Sequence, residues 1–223
     1  MKMIFLGTSS GEAMPRETCD CLQCQSKNKK DKRLRSSILI EDKILIDAGP
    51  DILKQLNSDQ INNLDTVIIT HEHDDHIAGL KYLLRTRRDL RIIRMKPGQH
   101  FKLLSVDFFA FKVLHSKMAI TIGLQINNNI VYISDSSSLD LAIKYLQEAN
   151  IAILDGSVLG RSFGGHLAIN EIVADVKPLK NLKKIYFTHN GHTHKTHQEM
   201  VKLVQSLGDA RFTLAYDGLE LKI

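Results

Sequence analysis

The sequence lacks the features that mark membrane proteins, secreted proteins and proteins of several domains. It has only four prolines among 223 residues, and no Pro/Gly-rich linker or low-complexity segment divides it. We therefore expect a single domain over residues 1–223. No apolar run approaches a membrane span, and the apolar stretch in the opening MKMIFLGTSSG is too short for a signal peptide. These absences predict a protein with no membrane partner.

Cysteine is equally scarce, and the segment CDCLQC holds all three: Cys19, Cys21 and Cys24. An odd number of closely spaced thiols suits a metal better than a disulfide framework, and it predicts a reducing, cytoplasmic environment. A closed structural zinc site needs a fourth ligand. His192 is the natural candidate, although His194 and His197 are near enough to compete. Small buried or free cysteines are the plainer alternative.

The composition that is present is ordinary for a soluble protein but basic in balance. An apolar share of 43% allows a sizeable core. The net charge of +5 and a pI near 9.0 favour anionic partners, without separating nucleic acid from a small phosphate ester. Basic stretches at residues 27–35 and 85–96 could gather phosphates, although a run of charge is usually a solvated face.

Short apolar runs and amphipathic stretches predict strands interleaved with helices. The predicted strands are residues 3–6, 37–40, 44–46, 66–69, 108–114, 120–126, 130–133, 151–154, 184–187 and 212–215. The predicted helices are residues 51–56, 77–87, 139–148, 168–175 and 198–207, with Ser138 capping the third and Gly208 ending the last. Turn signals predict hairpins at residues 41–42, 127–129 and 217–218. Helices packed on sheets, an α+β arrangement, fit this order.

One internal echo links the two halves of the chain. LDTVIITHEHDDH at residues 64–76 resembles LKKIYFTHNGH at residues 182–192, since both run from β-forming residues through Thr-His to a further histidine. Each half is therefore expected to deliver histidine from the C-terminal end of a strand, as in a duplicated unit that meets at a shared site.

The densest cluster of metal-binding side chains lies in ITHEHDDHIAGL, residues 69–80. His71 and His73 alternate in an extended segment and so project to one side, while Asp75 and His76 follow at the helix start. Imidazole and carboxylate are the usual ligands of zinc, manganese or iron. A solvated turn would explain His-x-His alone, but the added Asp-His favours half of a metal site.

His-x-His-x-Asp-His after an apolar strand resembles the signature of the metallo-β-lactamase superfamily. The resemblance implies a four-layer αββα sandwich of the α+β class, with two metals at one edge. The remaining family ligands are matched in order by three residues: His115 in FKVLHS, Asp135 in IVYISDSS and His189 in IYFTHNGH. Asp47 in ILIDAG stands where the superfamily has a supporting Asp-x-Gly, although ordinary turn chemistry explains it nearly as well.

The resemblance also implies a ligand set for each of two divalent ions, zinc or manganese. One set is His71, His73, His115 and Asp135. The other set is Asp75, His76, His189 and the shared Asp135. Such a pair activates a bridging hydroxide for attack. Asp75 is therefore expected among the catalytic residues as well as among the ligands.

Two further motifs resemble one branch of the superfamily. His166 in GRSFGGHLAIN matches the Gly-His motif of the phosphodiesterase branch, which includes ribonuclease Z, and this implies a general acid that protonates the leaving alkoxide. A helix N-terminal histidine without a role is the alternative. The cysteines with FLGTSSG and His192 resemble the phosphoribosyl 1,2-cyclic phosphate phosphodiesterases of that branch, which implies one structural zinc.

These resemblances predict a dinuclear-metal phosphodiesterase acting on a small cyclic phosphodiester by metal-hydroxide attack. Nucleic acid is disfavoured as substrate because no long Gly/Pro-rich insertion resembles a tRNA-grasping arm. An acyl-type hydrolase of a lactone, thioester or β-lactam is the first alternative, and a non-catalytic binding or carrier protein is the second. A homodimer is compatible with the resemblance, and the sequence leaves the oligomeric state open.

Overall fold

The computed structural model describes residues 1–116 and 120–223. The strands of this described part are β1 (Lys2–Gly7), β2 (Ser37–Ile40), β3 (Ile44–Ile46), β4 (Thr66–Ile68), β5 (Arg91–Ile93), β6 (His100–Leu103), β7 (Val106–Val113), β8 (Thr121–Ile126), β9 (Ile130–Tyr132), β10 (Ile151–Asp155), β11 (Lys184–Thr188), β12 (Phe212–Leu214) and β13 (Glu220–Lys222). Its α-helices are α1 (Leu22–Gln25), α2 (Ile52–Gln55), α3 (Ser58–Asn63), α4 (Asp74–Ile77), α5 (Leu80–Thr86), α6 (Ile143–Leu146), α7 (Ile169–Val176) and α8 (His197–Leu207), with a 3₁₀ turn at Lys29–Asp31.

The strands form two mixed sheets. The first has the order β13-β1-β2-β3-β4-β5, and the second has the order β12-β11-β10-β9-β8-β7-β6. Parallel pairs run from β3 to β5 in the first sheet and from β9 to β12 in the second. Each sheet therefore has a parallel segment whose strands end at the same edge.

Three apolar clusters hold the layers together. One lies between the sheets and joins Phe5 and Ile38 of the first to Phe108 and Leu124 of the second. A second packs α2, α3 and α5 on the outer face of the first sheet, and a third packs α6, α7 and α8 on the outer face of the second. The order helix, sheet, sheet, helix confirms the predicted αββα sandwich.

Two of the three predicted hairpins are confirmed. The β2–β3 turn has Glu41 and Asp42 at φ values of 51° and 53°, and the β8–β9 turn has Asn127 and Asn128 at 50° and 52°. The left-handed conformation at both central positions is that of a tight hairpin turn.

The third predicted hairpin, at residues 217–218, is wrong. Strand β12 pairs with β11 in the second sheet, whereas β13 pairs with β1 in the first. The amide of Gly218 donates to the carbonyl of Phe5, so the turn crosses between the sheets. An Asp-Gly turn reverses the chain locally, but the free edge of each sheet decides where the two strands pair.

The ten predicted strands all have counterparts, and three strands were not predicted on their own: β5, β6 and β13. The predicted helix at residues 77–87 corresponds to α5, which begins only at Leu80, because Ile77 is the last residue of α4 and Gly79 separates the two helices. A Cβ at Gly79 would lie 2.1 Å from the carbonyl oxygen of Gly49, so only glycine permits this approach. Gly208 ends α8 as predicted, but Ser138 does not cap α6, which follows Ala142. None of the helices in the described ranges is both long and apolar enough to cross a membrane.

Candidate dinuclear metal centre

Acidic and histidine side chains gather where the parallel strands end. Asp47 follows β3, His71 lies three residues after β4, Asp155 is the last residue of β10 and His189 follows β11. Strands β4 and β11, which belong to the two similar segments at residues 64–76 and 182–192, lie in different sheets. Their histidines therefore meet across the gap between the two sheet edges, as the internal echo predicted.

Three histidines form one half of the cluster. Nδ1 of His73 lies 3.0 Å from Nε2 of His71 and 3.2 Å from Nε2 of His115. His71 is buried, whereas His73 and His115 are partly exposed. Three converging imidazole nitrogens form one face of a site for a borderline-soft divalent ion.

A second group of three lies beside the first. Nε2 of His189 lies 3.2 Å from Oδ2 of Asp75 and 3.4 Å from Nε2 of His76. The Nε2 atom of His76 is 3.5 Å from the same Asp75 oxygen. Asp75 and His189 are more than 100 residues apart in the sequence, and the packing of the two sheets brings them together.

Asp135 lies between these two groups. Its Oδ2 is 3.3 Å from Nε2 of His76, and its Oδ1 is 3.4 Å from Nε2 of His189 and 3.9 Å from Nε2 of His115. The carboxylate is buried, and Oδ2 accepts no hydrogen bond from the described residues. A buried carboxylate oxygen without a hydrogen-bond donor is suited to bind a cation, so Asp135 fits a shared metal ligand.

The outer nitrogens of the histidines are already engaged, which assigns their protons. Nδ1 of His76 donates to Oδ2 of Asp47 at 2.7 Å, Nδ1 of His189 donates to Oγ of Ser157 at 2.7 Å, and Nδ1 of His115 donates to the carbonyl of Gly165 at 2.9 Å. With Nδ1 as the donor, the neutral form of each of these three histidines directs its Nε2 lone pair inward. Such outer partners fix the tautomer of metal-binding histidines.

Asp47 supports the centre from behind. Its carboxylate also accepts from the amide and the hydroxyl of Thr70, at 2.8 and 2.7 Å, and that hydroxyl lies 3.1 Å from Nδ1 of His71. Asp47 is fully buried with φ of 61°, a left-handed conformation held by these bonds. The contacts favour the supporting role over ordinary turn chemistry.

The electrostatics of the cluster also favour bound cations. Burial and the neighbouring His76 lower the pKa of His71 to about 3, so this imidazole stays neutral. Burial alone would lower the pKa of His189, but the charge of Asp135 raises it to about 10. The buried carboxylates thus require positive charge beside them. These residues fit two divalent cations, one with three imidazoles and one with two imidazoles and Asp75, sharing Asp135.

His166 lies beside this cluster in a different hydrogen-bonded pair. Its Nδ1 is 2.7 Å from Oδ2 of Asp155 and 3.9 Å from Oδ1 of Asp135. Burial alone would lower the pKa of His166, but the hydrogen bond from Nδ1 to Asp155 raises it. Because Nδ1 is engaged, Nε2 is the nitrogen left for a substrate. Ligand atoms of His166, His115 and Asp135 lie within 4.8 Å of one another, so these three side chains could also hold a metal ion.

Asp155 is a candidate functional residue that the sequence analysis missed. It is fully buried, and Oδ1 accepts from the amide of Ser157 at 2.8 Å while Oδ2 accepts from the amide of Ser136 at 3.0 Å. The hydroxyl of Ser157 donates to the same carboxylate and accepts from His189. An acid that ends the apolar run IAILD, as Asp47 ends ILID, was the available signal.

The cysteine segment lies against the loop that follows His189. Nε2 of His192 is 3.5, 3.1 and 3.4 Å from the sulfurs of Cys19, Cys21 and Cys24, respectively. His194 lies close to this group as well. In contrast, Nδ1 of His197 accepts from Arg33 at 2.9 Å, so His197 does not join the cluster. Three sulfurs around one imidazole nitrogen are a donor set that suits zinc.

The two basic stretches differ in their surroundings. In residues 27–35, Arg33 is buried, and its guanidinium donates to Thr8 and to the carbonyl of Ala215 at 2.6 Å each. This arginine therefore stabilises the interior and does not belong to a solvated face. In residues 85–96, Arg94 is half-exposed and pairs with Glu72 at 2.6 Å, next to the metal-binding histidines.

The comparisons with known proteins agree with this site. The model described as the metallo-β-lactamase superfamily matches residues 31–133, which include the first histidine motif. The αββα sandwich, with metal-binding side chains converging at one edge, supports a metal-dependent hydrolase. The match over residues 31–133 confirms the resemblance to the metallo-β-lactamase superfamily that the sequence predicted.

Two solved structures and one curated protein are similar to this chain. A new diphosphatase from the PhnP family is 26% identical, with a TM-score of 0.84 over 100% of this chain and 97% of that one. The short form of human tRNase Z is 17% identical, with a TM-score of 0.65 over 100% and 99%. An octanoyltransferase of Porphyromonas gingivalis is 25% identical over an alignment 258 residues long, which covers 99% of this chain and 51% of that protein. The chain thus spans about half the length of that curated relative.

Proposed function

We propose that this hydrolase is a phosphodiesterase that cleaves a small cyclic phosphodiester, with His166 as the general acid. The observation that carries the proposal is the hydrogen bond of 2.7 Å between Asp155 and His166, directly beside the metal-binding side chains. A poor alkoxide leaving group needs a proton, and an oriented histidine next to the nucleophile site can provide it.

The metal-binding residues would supply the other half of the reaction. His71, His73 and His115 would hold one cation, Asp75, His76 and His189 the other, and Asp135 both. Two divalent ions held by such a donor set, zinc or manganese, would supply the Lewis acidity that activates water and neutralises charge on phosphoryl oxygens. The protein's own part is to hold the Nε2 lone pairs inward, through partners such as Asp47 and Ser157.

His166 would act through Nε2. Asp155 holds Nδ1 of the ring, fixes its orientation and stabilises the imidazolium, so the ring can donate from Nε2 to the oxygen that leaves phosphorus. The side chain keeps 19% of its surface exposed, which leaves it accessible to a bound substrate.

The relatives support phosphate chemistry more directly than acyl chemistry. A diphosphatase and a tRNase both act at phosphorus, and the diphosphatase resembles this chain over nearly all of both lengths. The octanoyltransferase carries an acyl activity in its name, but this chain corresponds to half of that protein. Acyl hydrolysis therefore stays as the second candidate function and is included in the test.

We also propose a structural zinc held by the three cysteines and His192. Their converging sulfurs and nitrogen support it, and the bound zinc would join the N-terminal loop to the loop after His189. Such a site requires reduced thiols, which suits the cytoplasm.

A substrate panel tests the reaction class. The protein, loaded separately with zinc and with manganese, is assayed on ribose cyclic phosphates, bis-p-nitrophenyl phosphate, a lactone, a β-lactam and an octanoyl thioester. We expect turnover of the phosphodiesters at rates well above those of all acyl substrates. Faster turnover of the lactone or the thioester would replace the proposal with acyl hydrolysis.

A further inference from the structure

The turn that carries His166 also fixes the position of Phe163. The two residues exchange backbone hydrogen bonds, His166 N to Phe163 O at 3.0 Å and Phe163 N to His166 O at 3.1 Å. Gly164 and Gly165 occupy the positions between them, with φ values of 62° and 87°. This is a tight two-residue reversal, and the left-handed conformation at both positions explains the glycine pair.

The turn packs closely against His115 of the histidine cluster. The carbonyl of Gly165 accepts from Nδ1 of His115, and a Cβ at Gly165 would lie 2.7 Å from the carbonyl oxygen of His115. On the stem, the hydroxyl of Ser162 accepts from the amide of Ala168 and donates to Glu171, both at 2.9 Å. The position of Phe163 relative to His166 is therefore set by the backbone and does not depend on packing of its ring.

Phe163 and His166 form an antiparallel bridge, so their side chains project from the same face of the turn. In a hydrogen-bonded pair of this kind the Cα atoms are about 5.5 Å apart. His166 points inward to Asp155, whereas the ring of Phe163 is 80% exposed. The exposed ring of Phe163 therefore projects on the same side of the turn as the imidazole proposed to protonate the leaving oxygen.

We propose that Phe163 stacks on a nucleobase and that the substrate is a nucleoside cyclic phosphate. This inference rests on the proposed function, because it requires the leaving oxygen to meet His166. In a nucleoside cyclic phosphate one sugar carries both the leaving oxygen and the base. A side chain beside the proton donor can therefore reach the base. An aromatic ring with an open face suits a planar partner, and base–aromatic stacking tolerates every base.

The test compares two cyclic phosphates that differ only in the base. Metal-loaded wild type, Phe163→Ala and Phe163→Tyr are assayed on adenosine 2′,3′-cyclic phosphate and on 1-O-methylribose 2,3-cyclic phosphate. Removal of a stacking ring costs about 5- to 150-fold in binding. We expect Phe163→Ala to lose this factor in kcat/KM on the nucleoside substrate, mainly through KM, and to match wild type on the base-free one. Phe163→Tyr should retain wild-type values on both.

The control is Leu104→Ala, which removes another exposed apolar side chain, in the turn between β6 and β7. This variant should keep the wild-type kcat/KM on both substrates. If Phe163→Ala loses the same factor in kcat/KM on both substrates, the stacking role is overturned, because the substitution would then have disturbed the turn that carries His166. Unchanged values on both would overturn it as well. If the wild-type protein binds both metals but cleaves no phosphodiester, the proposed function is refuted, and the stacking role is refuted with it.

Discussion

Oδ2 of Asp155 lies 2.7 Å from Nδ1 of His166, while Oδ1 of the same carboxylate binds Ser157, whose hydroxyl supports His189. One buried acid at the end of β10 thus orients both the proposed proton donor and a metal-binding histidine. This arrangement couples the acid–base function of the site to its metal-binding function, and the two can be separated by substitution.

Asp155→Asn should lower turnover of a cyclic phosphodiester by up to about 10⁴-fold, because the oriented imidazolium is lost. The hydrogen bond to Asp155 raises the pKa of His166, so its removal lowers that pKa. A general acid works only while protonated. The alkaline limb of the kcat profile should therefore move to lower pH, which a pH–rate series measures.

Ser157→Ala is the matched control for this substitution. It removes the partner of His189 and leaves the Asp155–His166 pair in place. Loss of such an outer partner typically weakens metal affinity about 10- to 100-fold. We expect weaker metal binding with an unmoved alkaline limb. An equal shift of the limb in both variants would contradict the assignment of that limb to His166.

Asp135→Ala should remove the ligand shared by both cations. We expect loss of bound metal and of turnover, with circular dichroism close to wild type because one buried side chain at a strand end is shortened. Metal analysis and activity assays measure both effects. Asp140→Ala, an exposed acid five positions along, should retain metal and activity. Near-normal turnover with full metal occupancy in Asp135→Ala would refute the shared-ligand assignment.

Cys21→Ser tests the proposed structural zinc. Because such a site contributes folding free energy directly, the variant should lose one zinc per chain and melt at a lower temperature, with kcat much less affected. Zinc analysis with a thermal melt measures this. Asp20→Ser, the neighbouring substitution in the same loop, should keep the zinc. A wild-type protein with reduced thiols and only two bound metals would argue against the third site.

The buried His197 should make the free energy of unfolding depend on pH. Burial and the charge of Arg33 lower its pKa to about 4, from an ordinary value of 6.5. The unfolded chain therefore binds more protons between these values, so the free energy of unfolding falls as pH drops from 6.5 to 4. In His197→Asn, whose Oδ1 can accept the Arg33 hydrogen bond, this fall should be shallower. Urea unfolding across this range compares the two proteins, and identical slopes would contradict the prediction.

The sequence predicted those parts of the site that are local. His71, His73, Asp75 and His76 lie within six positions after one strand, and their grouping depends only on strand and helix geometry. The more distant ligands, His115, Asp135 and His189, were matched through the resemblance to the superfamily. Asp155 was missed because a single acid at a strand end looks ordinary until β10 is known to lie between β9 and β11.

The errors in the fold have a common physical cause. The turn at residues 217–218 and the strand β5 depend on which sheet edge is free, and that is decided by partners far away in the chain. Arg33 shows the same limit for charge. Its neighbours suggest a solvated basic run, but Thr8, Ala215 and His197 supply enough partners to hold it in the interior.

The most direct test of the central proposal is the leaving-group dependence of His166→Ala. We measure kcat/KM and metal content of wild type and variant on a ribose cyclic phosphate, whose alkoxide leaves poorly, and on a p-nitrophenyl phosphodiester, whose anion leaves unaided. If His166 is the general acid, the variant should lose about 10²- to 10⁴-fold on the cyclic phosphate, much less on the aryl ester, and no metal. An equal loss of kcat/KM on both substrates, or no loss on either, would contradict the role of His166 as general acid. Loss of bound metal would show that His166 is a metal ligand.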